Sequence, residues 1–584
     1  MPQKSRWSVS VPEVDIPTYL FGSPTAPLGD ALAFADAEHP ETLCMTWTEL
    51  RLWSQRLAAG LQAAGLKEGD RVVILSGNDV LFPVVNLGVI MASGIYQSAN
   101  PHSNARELAY QLSLTTPSFI LASELTLACA LEAAKMVGMG RERVYVFNDV
   151  PLIKDGGGDD DFKNDVKHWK HLLAPKDVGR RFVWKKLTPE ESKSTTVYTI
   201  MTSGFVTVAF LVSNDANIII DRTTGLPKAA EASHYGILAN CVQTDFVMRL
   251  DPNLCTKELA AKNSRWLCTI PLYHGLALCY FCTISIARRV PSYIMRQYEI
   301  NSMLENIQRF RITELHLVPP IIVAMTKHPA VKSGKYDISS VTKTFSCAAP
   351  LGPEPTFQYE SLWPKGHVNV KQGLASTESC CNTIGWDPTL TAVAGSVGEP
   401  MPNCEIKLMD DDENEVARGQ SGEIWFRGPN IMKGYWQNKK ATDESITPDG
   451  WLRTGDVARQ DEKGWYYVVD RKKASHSGHE MIKVKGVQVW PAELEALLLD
   501  HPAVNDAAVI GVKKGDEEYP RAYVVAAPGA SVSVDDIMQF VNNKVSTIKR
   551  LTGGVVFTDA IPKAPSGKIL RRLIRDAIAK NSKL

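Results

Sequence analysis

Six consecutive residues, Thr223-Thr224-Gly225-Leu226-Pro227-Lys228, combine small hydroxyls, a glycine and a cation. Side chains of that size let backbone N–H groups close on phosphate oxygens, and a lysine adds a point charge. Upstream, Met201-Thr202-Ser203-Gly204 completes the pattern when Gly204 and Thr223 are read together. A second loop reads Gln372-Gly373-Leu374-Ala375-Ser376-Thr377-Glu378. There a threonine can hold a phosphate oxygen and the glutamate beside it a Mg²⁺ ion, which takes one or two carboxylates plus substrate phosphates. Trp451-Leu452-Arg453-Thr454-Gly455-Asp456 reads as a strand running into a turn and ending in a carboxylate suited to a ribose diol. Asp470-Arg471-Lys472-Lys473 is the fourth motif, and Pro562-Lys563-Ala564-Pro565-Ser566-Gly567-Lys568 presents a lysine on a tight loop. Each of these alone has an ordinary structural explanation. Five in this order do not.

Such loops need a scaffold of strands and helices. Leu50 to Leu61 has the spacing of an amphipathic helix, Asp70 to Leu75 (DRVVIL) that of a buried strand, and a further helix is expected over Phe82 to Met91. This alternation predicts an α/β fold with much parallel sheet. Residues 155–161, DGGGDDD, read as a solvated loop rather than a metal site, and no internal repeat of fixed period is present. After WYYVVD at 465–470 the text changes to a compact block with its own helices. We therefore expect a main domain over 1–470, a hinge at 471–473 and a small C-terminal domain over 474–584.

Composition narrows the function classes. The chain has 584 residues, 44% of them hydrophobic, enough for several domains with substantial cores. Lys+Arg and Asp+Glu both number 64, a balance unlike the basic excess of a nucleic-acid binder. The opening residues, MPQKSRWSVSVPEVD, lack a signal-peptide apolar core, and no apolar run reaches the ~18 residues of a membrane span. Phe205 to Ile220 is interrupted by Asn214, Asp215 and Asn217, so a soluble protein is expected. The 11 cysteines form no CxxC pair or zinc ladder, which predicts reduced thiols. Ser582-Lys583-Leu584 is the tripeptide that the peroxisomal import receptor reads at a free C-terminus, so a peroxisomal location is expected.

From about Pro24 to Lys568 the sequence resembles the adenylate-forming superfamily, close to 4-coumarate–CoA ligases, firefly luciferases and fungal acyl-CoA ligases. PLYHGLA at 271–277, CAAPLGPE at 347–354, GSVGEPMPN at 395–403, GEIWFRGPNIMKGYW at 422–436 and KGVQVWPAELE at 485–495 carry the likeness. The resemblance implies a large N-terminal domain of layered sheets and helices with a small, mobile α+β lid. It implies ATP, Mg²⁺ and coenzyme A, and a small carboxylic acid substrate that becomes an acyl-adenylate and then an acyl-CoA. Thr202, Ser203, Gly204, Thr223, Thr224, Gly225 and Lys228 would cradle the β,γ-phosphates. Thr377 would meet the α-phosphate and Glu378 the Mg²⁺. Ala348, Ala349 and Pro350 would flank the adenine, and Asp456 and Arg471 would hold the ribose. Lys568 would stabilise charge growing on the attacking carboxylate and bridging oxygen. The lid would then rotate about Lys473, so that Lys485, Gly486 and Gln488 line the pantetheine tunnel. His274 would gate the acyl pocket, with Tyr273, Val318 and Leu374 as walls.

The sequence also departs from that pattern. Residues 205–222 (FVTVAFLVSNDANIIIDR) are 18 extra residues inside the phosphate motif, which the family runs without a break. Ala474-Ser475-His476-Ser477-Gly478-His479 follows the hinge lysine, and deleting it restores DRKKEMIKVKG. Both insertions keep the reading frame and both interrupt motifs, which is the signature of unspliced short introns in a fungal gene. Real loops would fold, because closure entropy grows slowly with length. A phosphate cradle, however, needs its donors placed within roughly 0.5 Å. Ala229 stands where the family has glycine after the loop lysine, and Ala375-Ser376 replaces Gly-Met before Thr377.

An acid:CoA ligase, set in fungal secondary metabolism as a source of toxin or antibiotic precursors, is the leading reading. A luciferase-like oxygenase, a catalytically degenerate paralogue with a split phosphate loop, and a stand-alone adenylation partner of a peptide synthetase are the alternatives. Pyrophosphate release followed by acyl-CoA formation separates them.

Overall fold

A computed structural model of the chain describes residues 2–148, 162–163, 165–202, 227–349, 351–410, 412–471, 482–484, 487–489, 491–499, 501–515, 517–527, 529–562, 571 and 574–575. They group into two units. One comprises Met1–Pro101, Leu112–Met201 and Ala229–Asp470; the other comprises His102–Gln111, Thr202–Lys228 and Arg471–Leu584.

The first unit is built on two seven-stranded sheets and a five-stranded antiparallel one. The expected helix over Leu50–Leu61 forms as Trp47–Ala63. It starts there because Thr46 and Glu49 close a capping box: the Glu49 N–H donates to the Thr46 hydroxyl at 3.2 Å and the Thr46 N–H to the Glu49 carboxylate at 2.8 Å. The expected buried strand is Arg71–Leu75, and the third expected element is the helix Phe82–Met91. All ten residues of that helix are buried, as an all-round apolar helix requires.

Around Arg71–Leu75 the strands Ile95–Ala99, Phe119–Ser123 and Val144–Phe147 run parallel. The strand Thr196–Met201 joins the other side of Ile95–Ala99, and Ala229–Ser233 returns antiparallel beside it. The second sheet carries Trp266–Cys268, Glu314–Leu317, Lys343–Ser346 and Val370–Gln372, again parallel. The helical run Gly275–Arg288, with a π-turn over Tyr280–Ile284, is buried and contributes to one core with the helix Phe82–Met91 and with Trp266, Tyr96 and Tyr198. In open parallel sheets ligands sit beyond the carboxyl ends of the strands. In this unit those ends lead into the loops at 318, 347–349 and 373–378.

The second unit pairs Val504–Lys514 with Glu517–Ala526, and Gly554–Phe557 runs parallel to the latter. The helices Pro491–Leu499 and Val534–Asn542 supply Leu494, Leu498, Ile537 and Val541 to its own core. A buried Arg571 guanidinium grips the Glu495 carboxylate at 2.5 Å through both oxygens. Among the described residues no helix is long and apolar enough to cross a membrane, and all the cysteines are free thiols. Residues 155–161 lie outside the described residues.

Candidate active site

Thr377 and Glu378 lie in the four-residue loop of a hairpin, Leu374–Ser376 against Cys381–Gly385. Two serines shape it. The Ser379 N–H donates to the Ser376 hydroxyl at 3.2 Å, and the Ser379 hydroxyl reaches the Cys381 carbonyl at 2.8 Å. The loop re-enters the strand through Cys380 (φ 52°) and Cys381 (φ 114°), left-handed conformations that cost a non-glycine residue about 1–3 kcal/mol each. That strain is held by outside contacts: the Asn430 side chain donates to the Ser379 carbonyl at 2.9 Å and to the Asn382 carbonyl at 3.0 Å.

Glu378 itself is gripped twice. The Met432 N–H donates to its carbonyl at 2.8 Å, and the Tyr435 hydroxyl donates to its carboxylate at 2.7 Å. Burial, and next the Glu378 charge, push the Tyr435 phenol well above its ordinary pKa, so it stays a donor. Tyr435 pairs across strands with Ala230, and the Trp436 N–H donates to the Ala229 carbonyl at 2.7 Å. The carboxylate is thereby tied to the strand that Lys228 leads into. Mg²⁺ needs only one or two protein carboxylates when phosphates supply the other oxygens. Glu378, half-buried with one oxygen held by a phenol, fits that donor set.

The loop holding Ala348 and Ala349 follows the strand Lys343–Ser346. Both alanines are exposed and Ala348 takes φ 75°. The buried Gln372 side chain clamps the loop's far end, accepting from the Leu351 N–H at 2.9 Å and donating to the Leu351 carbonyl at 3.0 Å. Next in sequence, the Gly373 N–H donates to the Ser346 carbonyl at 3.0 Å. A Cβ at Gly373 would lie 2.6 Å from the Phe345 ring, so only glycine lets hairpin and strand approach this closely. The adenine candidates and the Thr377–Glu378 hairpin are therefore one rigid construction.

Asp456 was expected at the end of a strand running into a turn; instead it lies inside the continuous strand Leu452–Gln460. Cross-strand pairs Glu423↔Val457 and Trp425↔Arg453 leave Thr454, Gly455 and Asp456 opposite Ile424 alone. Gly455 makes that bulge possible with φ 74°, and its N–H donates to the Glu423 carboxylate at 3.0 Å. The Asp456 N–H donates to the Thr454 hydroxyl at 3.1 Å, and the residue is buried.

His274 stands just before the helix Gly275–Cys279, which packs on the hairpin strand Cys381–Gly385. The loop entering it is pinned by Asn78, whose amide donates to the Ile270 and Met295 carbonyls at 3.0 Å and accepts from the Leu272 N–H at 2.7 Å. The Ser98 hydroxyl holds the Tyr273 carbonyl at 2.7 Å. The His274 side chain is reached by solvent although protein atoms crowd it; that crowding lowers its basicity.

Thr202 and Lys228 close a neck. The Thr202 N–H donates to the Lys228 carbonyl at 2.8 Å, and the Lys228 N–H to the Thr202 hydroxyl at 3.0 Å. Ser203, Gly204, Thr223, Thr224 and Gly225 lie between them, outside the described residues, as do Pro350, Lys473, Lys485, Gly486 and Lys568. Arg471 ends the strand Tyr466–Arg471. Gln488 pairs with Lys483 in the hairpin Ile482–Val484/Val487–Val489. Tyr435, Asn430 and Asn78 support the candidate site and were missed by the sequence reading, which quoted Gln372 only as the first residue of its loop motif. Of these, Tyr435 and Asn430 fall inside the GEIWFRGPNIMKGYW motif, which was the available signal.

Comparison with known proteins places this geometry. The AMP-binding enzyme family model matches residues 26–205 and 223–436, and the AMP-binding enzyme C-terminal domain model matches 493–568. The chain belongs to the AMP-binding enzyme family, within the adenylate-forming superfamily. The match of this AMP-binding enzyme breaks over 206–222, inside the segment that interrupts its phosphate motif. A phenylacetyl-CoA ligase, epaB, from Aspergillus niger is 32% identical over 578 residues, covering 97% of this chain and 98% of that protein. The peroxisomal OPC-8:0-CoA ligase 1 of Arabidopsis thaliana is 34% identical, covering 98% of this chain and 95% of that protein. Among solved structures, the amide bond synthetase McbA from Marinactinospora thermotolerans shares the fold with a TM-score of 0.75 at 23% identity, covering 96% of this chain and 99% of that one. The large N-terminal and small C-terminal domains of this AMP-binding enzyme are those of that fold.

Proposed function

We propose that this protein is an ATP-dependent acyl-CoA ligase. It forms an acyl-adenylate and pyrophosphate from a carboxylic acid and ATP, then passes the acyl group to the coenzyme A thiol with release of AMP. The observation that carries the reading is the Glu378 carboxylate, fixed by Tyr435 on a strained hairpin beside the Ala348–Ala349 loop. Relatives named as CoA ligases along nearly the full chain support it.

In this reading Thr377 donates to the α-phosphate, and Glu378 would hold a Mg²⁺ ion, which would supply positive charge to the phosphates. Thr202 and Lys228 belong to the β,γ-phosphate set with Ser203, Gly204, Thr223, Thr224 and Gly225. Ala348, Ala349 and Pro350 flank adenine, and Asp456 and Arg471 take the ribose hydroxyls. Lys568 supplies positive charge to the developing transition state, where one positioned group is worth ~3–4 kcal/mol. Residues 471–473 act as the hinge between a 1–470 body and a 474–584 lid, and Lys485, Gly486 and Gln488 line the path of the pantetheine arm. We place the enzyme in peroxisomes, delivered by the import receptor through Ser582-Lys583-Leu584; the name of the Arabidopsis relative supports this. An acid that feeds fungal secondary metabolism is part of this proposal; the fungal source of the Aspergillus niger phenylacetyl-CoA ligase supports the fungal setting alone.

The test is one assay of the purified full chain with ATP, Mg²⁺, coenzyme A and a panel of acids. Stoichiometric pyrophosphate and acyl-CoA are expected for at least one acid. Pyrophosphate without acyl-CoA would favour the oxygenase or the stand-alone adenylation-partner alternative, and neither product would mark a degenerate chain.

A further inference from the structure

The strand that carries Tyr435 is only two residues long, Gly434–Tyr435, and meets its neighbour through two pairs, Tyr435 with Ala230 and Gly434 with Glu231. Gln437 then turns the chain with a left-handed φ of 51°. So short a ladder holds little by itself, and the direction of Tyr435 depends on what grips the residue after it. Trp436 is gripped three ways. Its backbone N–H donates to the Ala229 carbonyl at 2.7 Å and its indole N–H to the Leu114 carbonyl at 3.2 Å. The Arg71 guanidinium lies 3.8 Å from the centre of its ring.

Arg71 opens the strand Arg71–Leu75, yet it serves strands further across the same sheet. It is 6% exposed. Its Nε–H donates to the Thr199 hydroxyl at 3.3 Å and its Nη2 to the Glu231 carboxylate at 3.4 Å. The Thr196 hydroxyl donates to that carboxylate at 3.1 Å, so Glu231 is held from two sides. Glu231 belongs to Ala229–Ser233, the strand that Lys228 leads into. One guanidinium therefore joins the strand leaving the phosphate motif to the residue beside Tyr435.

Burial works against the charge of Arg71, and Glu231 supports it. Cohesion alone does not call for such a group, because well-packed apolar residues usually hold a structure as well as a buried ion pair does. A guanidinium adds a rigid plane, with donors at its edge and a face that stacks on an indole. That plane sets the rotation of the Trp436 ring, and with it the backbone that presents Tyr435. Arg71 stands at the amino end of its strand, whereas ligands sit beyond the carboxyl ends, so it works through Trp436 and not on ATP itself.

We infer that Arg71 is a positioning residue for the first half-reaction: through Trp436 it keeps the Tyr435 hydroxyl on Glu378, and so fixes the carboxylate that would receive Mg²⁺. The inference rests on the ligase reading and adds to it a residue remote from the reacting atoms.

The test measures ATP binding to the full chain by calorimetry across a Mg²⁺ series, and pyrophosphate release across the same series. Arg71→Met keeps the length of the side chain without its charge. It should raise the half-saturating Mg²⁺ concentration by about fivefold in both measurements, just below the scale for a direct partner of a metal ligand. Arg71→Lys, which keeps a cation over the ring, should lose less. Added to Tyr435→Phe, Arg71→Met should cost no more than about a further twofold, because both changes release the same carboxylate. Transfer from a supplied acyl-adenylate to coenzyme A should change less than about twofold, since Mg²⁺ serves the ATP phosphates of the first step. Thermal unfolding identifies the folded variants. If Arg71→Met does not fold, Trp436→Phe, which weakens the same stack and removes the indole donor, carries the same expectations. An unchanged Mg²⁺ dependence in a folded variant, an effect that multiplies with that of Tyr435→Phe, or an equal fall in both half-reactions overturns the inference. Mg²⁺-dependent ATP binding by the wild type leaves the ligase reading standing in each of those cases. A wild type that binds no ATP at any Mg²⁺ concentration fails that reading, and the inference with it.

Discussion

The Tyr435 hydroxyl donates to the Glu378 carboxylate at 2.7 Å, across a separation of 57 residues. This bond fixes which oxygen of Glu378 faces the protein and which is left for a ligand. Tyr435→Phe keeps the ring and removes only the hydroxyl. We expect the Mg²⁺ concentration giving half-maximal pyrophosphate release to rise by about tenfold, the usual scale for losing a partner of a metal ligand. An unchanged Mg²⁺ requirement would show that Tyr435 merely packs.

The same contact shows what the sequence could and could not reveal. Phe82–Met91 was legible because a continuous apolar run reports a buried helix, and Trp47–Ala63 because of its amphipathic spacing; its start was read three residues late, at Leu50, although Thr46 and Glu49 carry the cap locally. Thr377 and Glu378 were legible as a motif. Their positioning was not, because Tyr435, Asn430 and Gln372 act across long stretches of chain that no local pattern encodes. Asp456 misled for a related reason: its bulge exists only relative to the partner strand Ser421–Arg427.

Lys568 bears on the first half-reaction alone. Lys568→Ala should lower acyl-adenylate formation by roughly 10²–10³-fold, the scale of removing one positioned electrostatic group. Transfer from a supplied acyl-adenylate to coenzyme A should change little. Arg571, held by Glu495 three residues further on, should keep the unit folded in the variant. Equal loss of both steps in a folded variant contradicts the assignment.

The break in the family match over 206–222 makes the insertion a separable question. Thr202 and Lys228 already close the neck by two hydrogen bonds, so deleting 205–222 leaves the ends of the loop where they are. Removing 205–222 together with 474–479 should raise ATP-dependent pyrophosphate release above that of the chain as written. Mature transcripts retaining both segments, with activity lost on deletion, would refute the intron explanation.

Location can be read independently of catalysis. A fluorescent protein fused to the N-terminus should give peroxisomal puncta, and truncating Ser582 to Leu584 should release it to the cytosol. The tripeptide begins 14 residues beyond Lys568 (582 − 568), so the truncation should leave ligase activity in vitro unaltered. Cytosolic signal from the intact protein, in cells with a working import receptor, would rule the address out.

His234 couples the first unit's stability to acid. It is buried, its Nδ1 accepts from the Ile16 N–H at 3.2 Å, and burial lowers its pKa to about 3. Protonation would destroy that acceptor and charge a dry site. In the unfolded chain a histidine titrates near 6.5. Between pH 6.5 and 3 the unfolded state thus holds a proton that the folded state lacks, and stability must fall as pH falls through that window. One such group contributes a slope of about 1.4 kcal/mol per pH unit. Buried His316, also lowered to about 3, adds a second share of the same sign. His234→Gln removes its own share and leaves the other. Urea unfolding of wild type and variant at matched pH should therefore show the gap between them narrowing from pH 6 to pH 4 by about 2–3 kcal/mol. A gap constant with pH would mean that His234 is protonated in the folded protein or already deprotonated in the unfolded one, and that its burial does not set the acid limit.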